Sequence, residues 1–180
     1  MKTCLRILCL VLLLGCGRSG PHQITVDVSR TGQFSVAGQS VSRQQLHEHF
    51  KSQYRKHGNC PVLIRGADDT RHTDIRAAMD IVTGSGLGDI AYATPSYSSA
   101  IHPRYASSWE PPEGKLDAMP EGTALVSVSP AGGNTAALAN ATANTKVAVI
   151  CTADSRHADL VAVLQQCEAI NISTIYVGSK

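Results

Sequence analysis

The sequence predicts an α+β protein built from two-layer units, in which two helices cover one face of a small mixed sheet and the second unit is shortened. The first observation is a heptapeptide that occurs twice: DTRHTDI at 69–75 returns as DSRHADL at 154–160. The second is a gapless alignment of 62–94 with 147–179, which keeps the identical residues Val62, Asp69, Arg71, His72, Asp74, Ala77 and Ile90. The third is that both windows have the same order of apolar strand, polar turn, amphipathic helix and closing strand. We interpret this as a duplicated structural unit.

The N-terminus predicts a secreted lipoprotein. In residues 1–15, Lys2 and Arg6 accompany an apolar run that is shorter than the roughly 20 residues of a membrane-spanning helix. The run ends in Leu-Leu-Gly-Cys, which is similar to a bacterial lipobox and predicts removal of 1–15 and acylation of Cys16. An ordinary cleaved signal with a chance cysteine is the alternative. Residues 16–22 would form a short polar tether between the lipid anchor and the first domain.

Composition excludes several classes of function. The chain has 16 Lys and Arg against 14 Asp and Glu, and loss of Lys2 and Arg6 with the signal balances them, so no nucleic-acid partner is predicted. Cys60, Cys151 and Cys167 have no zinc-ligand spacing. Cys151 falls in a predicted strand and Cys167 in a predicted helix, which favours small buried apolar residues over a disulfide.

The first unit is predicted at 23–94. ITVDVSRTGQFSV indicates two strands joined at Thr31–Gly32. A helix follows, with Ser42 as its N-cap, Gln45 closing a capping box, and Leu46, Phe50 and Tyr54 toward the sheet. Gly58–Asn59 ends it. The strand VLI, the second helix and its glycine stop at 84–86, and the strand DIAYAT complete the unit.

The second unit is predicted at 123–180 and is reduced. ALVSVSPAGG resembles the first hairpin, but only TAALANATANTK stands where the first unit has its long capped helix. Residues 95–122 are predicted to be a linker, because they hold five of the eight prolines. Trp109 and two tyrosines in this linker suggest that it lies against one of the units.

In the first unit, the order of strands, capped helix, Asp turn and second helix resembles the periplasmic domain of ExbD and TolR, the biopolymer-transport family. The stretches that carry the resemblance are ITVDVSRTGQFSVAGQSVSRQQLHEHF, VLIRGADD and IRAAMDIVTGSGLGDIAYAT, within 24–94. The second unit resembles the family only through the first. The resemblance implies two helices on one face of a small sheet, dimerisation, and contact with an energised inner-membrane complex.

The chain departs from the family at its N-terminus. Family members carry one transmembrane helix with an aspartate needed for proton passage, whereas here the first acidic residue is Asp27. A carboxylate in the membrane can change its protonation state because the low dielectric raises its pKa. We therefore expect that this chain does not itself perform the proton step.

The DTRH and DSRH turns contain the candidate site residues. A catalytic or metal-binding interpretation would use Asp69, His72 and Asp74, and again Asp154, His157 and Asp159. The interpretation that we favour is structural: Asp69 or Thr70 caps the helix, Asp74 lies at the positive end of its dipole, and Arg71 pairs with a carboxylate. His47 and His49 should point to different faces of their helix, and Gly84–Gly88 follows a helix rather than opening one. No catalytic residue, metal site or cofactor is predicted; the single modification site is Cys16.

Three functional hypotheses follow. The first is a lipid-anchored ExbD/TolR-like accessory of a proton-motive-force-linked transport or envelope system, with ExbB/TolQ-like, ExbD-like or TonB/TolA-like partners. The second is an envelope module that binds a peptide or peptidoglycan by strand addition. The third is an enzyme dependent on His72 or His157. For the first we expect the envelope of a Gram-negative-type bacterium, with the domain facing the periplasm, as a homodimer or an intramolecular pseudo-dimer.

Overall fold

The computed structural model describes residues 22–101, 106–108, 122–172 and 174–179, which form two mixed sheets, three α-helices and a short 3-10 helix. The first sheet has the order β3-β2-β1-β4-β5-β6. Its strands are β1 (Ile24–Val28), β2 (Phe34–Val36), β3 (Gln39–Val41), β4 (Val62–Gly66), β5 (Ile90–Thr94) and β6 (Tyr97–Ile101). Strands β1, β4 and β5 are parallel neighbours, and the outer pairings are antiparallel.

The second sheet has the order β7-β11-β10-β8-β9. Its strands are β7 (Ala106–Ser108), β8 (Thr123–Ser129), β9 (Gly132–Asn134), β10 (Lys146–Cys151) and β11 (Thr174–Ser179). Strands β8, β10 and β11 are parallel, and β9 returns antiparallel to β8. The second sheet therefore repeats the β2-β1-β4-β5 order of the first as β9-β8-β10-β11. We call the part of the chain in the first sheet and its helices the first unit, and the rest the second unit.

Helices α1 (Arg43–His57) and α2 (His72–Gly84) cover one face of the first sheet, whereas α3 (His157–Ala169) is the α-helix of the second unit in the described residues. The 3-10 helix Ala136–Leu138 lies where the first unit has α1. The predicted α+β class is confirmed. The described residues between β9 and β10 hold a 3-10 helix and no α-helix. The buried core is mainly aliphatic, with Phe34, Phe50 and Tyr92 among its aromatic members, and β1 contributes the alternate residues Ile24, Val26 and Val28.

Local chemistry fixes α1 as the sequence predicts. The Ser42 hydroxyl accepts from the Gln45 backbone N–H at 3.2 Å, and the Gln45 side chain accepts from the Ser42 N–H at 2.8 Å. Gly58, at φ 71°, ends the helix and donates to the Tyr54 carbonyl. Leu46 and Phe50 are buried, but Tyr54 is 43% exposed, so its predicted place in the core is wrong. Tyr54 belongs to the last turn of α1 and lies over Gly86 instead.

The equivalent helices α2 and α3 end in matching turns. Leu87 donates to the Val82 carbonyl at 3.3 Å, and Ile172 donates to the Cys167 carbonyl at 2.9 Å. Gly86 has φ 90° and Asn171 φ 60°, the left-handed conformation that such helix ends require. The predicted stop at 84–86 is confirmed. The prediction of a linker without secondary structure is wrong for two segments, because β6 joins the first sheet and β7 joins the second.

Candidate functional site at the junction of the two units

The two matching turns contact each other. Arg71 and Arg156 face each other in an antiparallel backbone bridge. On either side, the His72 N–H donates to the Ser155 carbonyl at 2.7 Å and the His157 N–H donates to the Thr70 carbonyl at 2.8 Å. His72 is equivalent to His157 in the alignment, and Thr70 is equivalent to Ser155. The two hydrogen bonds are therefore the same contact made in both directions, which is the pattern of a twofold-related interface. We call the contact between residues 70–72 and residues 155–157 the junction.

The junction caps both helices. Arg71 and Arg156 are the N-cap residues, and neither makes a side-chain capping bond. The first N–H groups of a helix have no partner within it. Here a carbonyl of the other unit accepts from His72 and from His157, and the Asp68 carbonyl accepts from Ala158 at 3.1 Å. The prediction that Asp69 or Thr70 caps α2 is therefore wrong, because the cap comes from the opposite unit.

The hydroxyls of Thr70, which was a candidate for capping, and of its counterpart Ser155 bind a neighbouring strand instead. Ser155 Oγ donates to the Val128 carbonyl at 2.7 Å, and Thr70 Oγ1 donates to the Val28 carbonyl at 3.5 Å. Both side chains are fully buried. Each hydroxyl thus fixes its turn to the end of the first strand of its own unit, in the position that presents the Thr70 or Ser155 carbonyl to the other helix.

Ion pairs surround the junction at the surface. Arg71 Nε lies 3.4 Å from Asp74, and Arg156 Nη2 lies 2.8 Å from Asp159. The predicted pairing of Arg71 with a carboxylate is confirmed. Because both arginines are more than half exposed, each pair should contribute little to stability and serve mainly to orient the turns.

Two imidazoles lie inside the junction. His72 and His157 are both fully buried at the first position of their helices. His157 Nε2–H donates to the Ala93 carbonyl at 3.0 Å, and its ring meets Tyr92 edge-on at 6.2 Å. Among the described residues, both ring nitrogens of His72, Nδ1 of His157 and the Tyr92 hydroxyl have no hydrogen-bond partner. Such a group of buried, unpaired polar atoms is unusual in a protein interior.

Burial decides the charge state of these groups. Desolvation lowers the pKa of His72 to about 4, and the positive charge of Arg76 and proximity to His157 act in the same direction. Desolvation also lowers the pKa of His157 to about 4, although its bond to Ala93 and the charge of Asp68 favour the protonated form. Burial raises the pKa of Cys151 to about 12 and raises that of Tyr92 further. At neutral pH all four groups are therefore uncharged.

Gly66 and Tyr92 complete the junction and were missed by the sequence analysis. A Cβ on Gly66 would lie 2.7 Å from His157 Cδ2 and 2.8 Å from Ile75 Cδ1, so only glycine lets the His157 ring approach β4 this closely. The alignment of 62–94 with 147–179 pairs Gly66 with Cys151. This difference between the two repeats is the signal that could have pointed to Gly66.

The catalytic and metal-binding interpretations are not supported by this geometry. His72 and His157 have no exposed surface with which to meet a substrate. Asp69, Asp74 and Asp159 are in ion pairs with Arg30, Arg71 and Arg156. His47 Nδ1 lies 3.1 Å from the Ser85 hydroxyl, whereas His49 lies beside Phe50. Within the described ranges, no cluster of three His, Cys, Asp or Glu side chains could hold a metal ion.

The first unit, with two helices on one face of a mixed sheet, corresponds to a known family. Residues 19–96 match the family model described as biopolymer transport protein ExbD/TolR. We call this part of the chain, which is similar to the family, the ExbD/TolR domain. The match includes β1 to β5, α1 and α2, and it confirms the resemblance seen in 24–94. Comparison with curated proteins finds no match to the chain.

The ExbD/TolR domain has open grooves beside α1. One groove of about 590 Å³ runs between α1 and α2 and is lined by Arg43, Gln44, His47, Thr73, Arg76, Ala77, Asp80 and Ile81. Another, of about 370 Å³, lies below the β2–β3 hairpin and also reaches Arg43. Both grooves depend on α1 or β3, which have no counterpart among the described residues of the second unit.

Three cysteines lie among the described residues. Cys60, Cys151 and Cys167 are free and buried, which confirms the interpretation of Cys151 and Cys167 as apolar core residues. Cys16 lies outside the described residues. Within the described part of the chain, no helix has the length and apolarity needed to cross a bilayer.

Proposed function

We propose that this protein is a lipid-anchored accessory component of a biopolymer transport or envelope system driven by the proton-motive force, and that it acts through protein contacts rather than catalysis. The observation that carries the proposal is the ExbD/TolR domain at 19–96, which has both helices and both grooves in place. The burial of His72 and His157, the best candidates for catalysis, supports the non-catalytic part.

The anchor and the proton step belong to different molecules in this proposal. Acylated Cys16 holds the domain on a membrane of a Gram-negative-type envelope, facing the periplasm. An ExbB/TolQ-like channel subunit and a transmembrane ExbD-like subunit carry the proton, since a membrane carboxylate is needed for that step. The accessory protein contributes a docking surface to their complex or to a TonB/TolA-like protein.

The second unit takes the place of a second subunit. We infer that it arose by duplication, lost α1 and β3, and retained the strands and the helix that form the junction. The alignment of 62–94 with 147–179 and the reciprocal bonds of His72 and His157 support this. The chain would then be an intramolecular pseudo-dimer with a docking surface on the first unit alone.

The groove between α1 and α2 is the surface to test. Arg43 lines both grooves, is exposed, and stands at the start of a helix, where a negative charge would be favourable. Arg43→Glu should therefore leave the fold intact while reversing a charge in the groove. Lys51→Glu makes the same charge change on the exposed surface of α1 and is the matched control.

The experiment is a mild-detergent pulldown of the tagged full-length protein with mass spectrometry of bound proteins. We expect an ExbB/TolQ-like channel subunit and a transmembrane ExbD-like subunit, with recovery reduced about tenfold in Arg43→Glu, a loss of about 1.4 kcal/mol, and unchanged in Lys51→Glu. Recovery of outer-membrane or peptidoglycan-associated proteins alone would contradict the link to a motor.

Anchoring is tested separately by metabolic labelling with a radioactive fatty acid. The wild-type protein should incorporate label and sediment with membranes, and Cys16→Ala should do neither. Cys4→Ala is the control, because the proposed cleavage removes Cys4 with the signal. Equal labelling of wild type and Cys16→Ala would refute the lipoprotein part of the proposal.

A second candidate function is a peptide-binding module without a motor. The observation that favours it is β3, an exposed edge strand whose Gln39 and Ser40 face solvent. An exposed edge can accept a further strand by backbone hydrogen bonds. This candidate predicts that the same pulldown recovers envelope proteins and no channel subunit, and that Ser40→Pro abolishes the recovery.

A further inference from the structure

The imidazoles of His72 and His157 are buried in the junction and are uncharged at neutral pH. His72 and His157 lie at the first positions of α2 and α3, and their backbone N–H groups make the bonds that join the units. Their rings are buried in the same place, so opening the junction would expose both rings to water. The ring environment is thus linked to the backbone contacts that hold the units together.

The junction has almost no acceptors for a protonated imidazole. An imidazolium donates from both nitrogens. His157 Nε2 has the Ala93 carbonyl, but His157 Nδ1 and both nitrogens of His72 have no partner in the described structure. Each proton added in the closed state would create a buried charge with at least one unsatisfied donor. In the open state water would supply the missing acceptors.

We propose that His72 and His157 form an acid-sensitive latch, in which uptake of a proton by each imidazole from solvent releases the two units from each other at the junction. The chemistry is protonation alone, and the released state is reversed by raising the pH. In an envelope compartment, acidification would then open the backbone contacts of the junction without unfolding either sheet, while α3 stays packed on β5 and β6.

Different charged and titratable groups lie near the His72 and His157 rings. On its own helix His72 is near Arg76, and from α3 it is faced by His157; both oppose a positive charge. From the β4–α2 turn Asp68 favours a charge on His157. Tyr92 of β5 and Cys151 of β10 are uncharged throughout the acid range, because burial raises the pKa of each. Asp159 of α3 is engaged by Arg156 at the rim.

Because their neighbours differ, the two histidines should take up protons in a fixed order. His157 has an acceptor for Nε2 and a nearby carboxylate, so it takes the first proton more easily. That charge then adds to Arg76 in opposing a proton on His72. A proton on His72 is the one that the closed junction accommodates least, and it should be the step that opens the latch.

The sign and range of the pH dependence follow from linkage. In the open state each imidazole should titrate near its ordinary pKa of about 6.5, whereas in the closed state the pKa is about 4. The closed state is therefore fully favoured above pH 6.5 and is progressively lost as the pH falls toward 4. At pH 5 each histidine should increase the opening equilibrium about 30-fold, and the pair about 1000-fold.

The experiment is hydrogen exchange with mass spectrometry on the full-length protein in non-ionic detergent, at pH 7.5 and pH 5.0, corrected for the intrinsic pH dependence of exchange. Peptides covering 67–73 and 152–158 report on the junction, and peptides covering β1 and β4 report on the first sheet. We expect protection at the junction to fall about 1000-fold at pH 5.0, with much smaller change in β1 and β4.

Variants separate the latch from general acid sensitivity. His157→Gln keeps an Nε2 donor for the Ala93 carbonyl but does not titrate, and His72→Phe replaces the unpaired imidazole by an apolar ring. Each should remove a factor of about 30 from the pH effect. The exposed His57→Gln should leave it unchanged. If His72→Phe does not fold, His157→Gln alone decides.

Three results would overturn the proposal. Junction protection could be equal at both pH values in the wild-type protein. His157→Gln could show the full wild-type effect. The strands β1 and β4 could lose protection together with the junction, which would mean that acid unfolds the protein as a whole and that the histidines do not act as a latch.

Discussion

At the scale of single residues, Gly32 connects the first hairpin to the junction. It has φ 74°, and a Cβ there would lie 2.5 Å from Asp74 Oδ1, the carboxylate that pairs with Arg71. Gly32→Ala should therefore lower the free energy of unfolding by about 1 to 2 kcal/mol, since it adds displacement of the Asp74 carboxylate from Arg71 to about 1 kcal/mol of left-handed backbone strain.

Gly38→Ala is the matched control for this change. Gly38 has φ 79° and no atom within 4 Å of the added Cβ, so it should show the strain of about 1 kcal/mol alone. Urea unfolding followed by circular dichroism measures both variants. Equal losses at the two positions would contradict the close approach of Asp74 to the hairpin.

The sequence predicts some of these residues and not others, for a physical reason. The alignment shows that His72 and His157 are equivalent, and the pairing of Arg71 with Asp74 follows from their i, i+3 spacing. It does not show that both imidazoles are buried, because the first position of a helix is exposed unless another part of the chain covers it. That cover comes from a turn 85 residues away along the chain.

At the scale of elements, the start of α1 is held by its capping box. Ser42→Ala removes the hydroxyl that accepts from Gln45 and should lower the free energy of unfolding by about 1 kcal/mol. Ser52→Ala, at an exposed position inside the same helix, should be neutral or slightly stabilising, because alanine has the higher helix propensity. Thermal unfolding distinguishes them, and the same midpoint for both would exclude a capping role for Ser42.

The contact of β4 with α3 depends on Gly66. Gly66→Ala places a methyl group 2.7 Å from His157 Cδ2 and should destabilise the protein by about 1 to 3 kcal/mol through overpacking. Gly88→Ala, with no atom within 4 Å of the new Cβ, is the control. Hydrogen exchange should show the loss first in peptides covering 67–73 and 152–158. A loss confined to β1 would place the strain elsewhere.

Elements that depend on local signals are predictable, and those that depend on distant pairing are not. The hairpin at Thr31–Gly32, the α1 cap and the ends of α2 and α3 all follow from a few neighbouring residues. Strands β6 and β7 lie in a proline-rich stretch and acquire their structure by pairing with β5 and β11. A segment whose partner is remote carries a weak signal of its own.

At the scale of the whole molecule, stability should decrease in mild acid. The pKa of His72 and of His157 is about 4 in the folded protein and about 6.5 in an unfolded chain, so the unfolded chain binds protons first as the pH falls. Measured from the closed form, each histidine should reduce the free energy of unfolding by up to about 3 kcal/mol between pH 6.5 and pH 4. The loss should level off once the junction has opened, because both imidazoles then titrate as they do in the unfolded chain. Urea unfolding at several pH values measures this slope, and His157→Gln should make it shallower.

The reciprocal caps also predict how many copies of the chain assemble. In the full chain the junction of the first unit is covered by the second, so the protein should be a monomer in sedimentation equilibrium. A chain ending at Ile101 would expose the same Thr70 carbonyl and His72 N–H without their partners. Two copies of that truncated chain can satisfy these groups by pairing their DTRH turns with each other. We therefore expect the truncated chain to dimerise.

A charge in the junction provides the control for this dimer. His72→Asp in the truncated chain would place a permanent carboxylate where the dimer has no donor for it, and should leave the fragment monomeric. A truncated chain that stays monomeric without this substitution would show that the DTRH turn cannot pair with itself. A full-length dimer would show that the second unit does not replace a second subunit. Either result would remove the pseudo-dimer from the proposed function while leaving the ExbD/TolR domain at 19–96 unchanged.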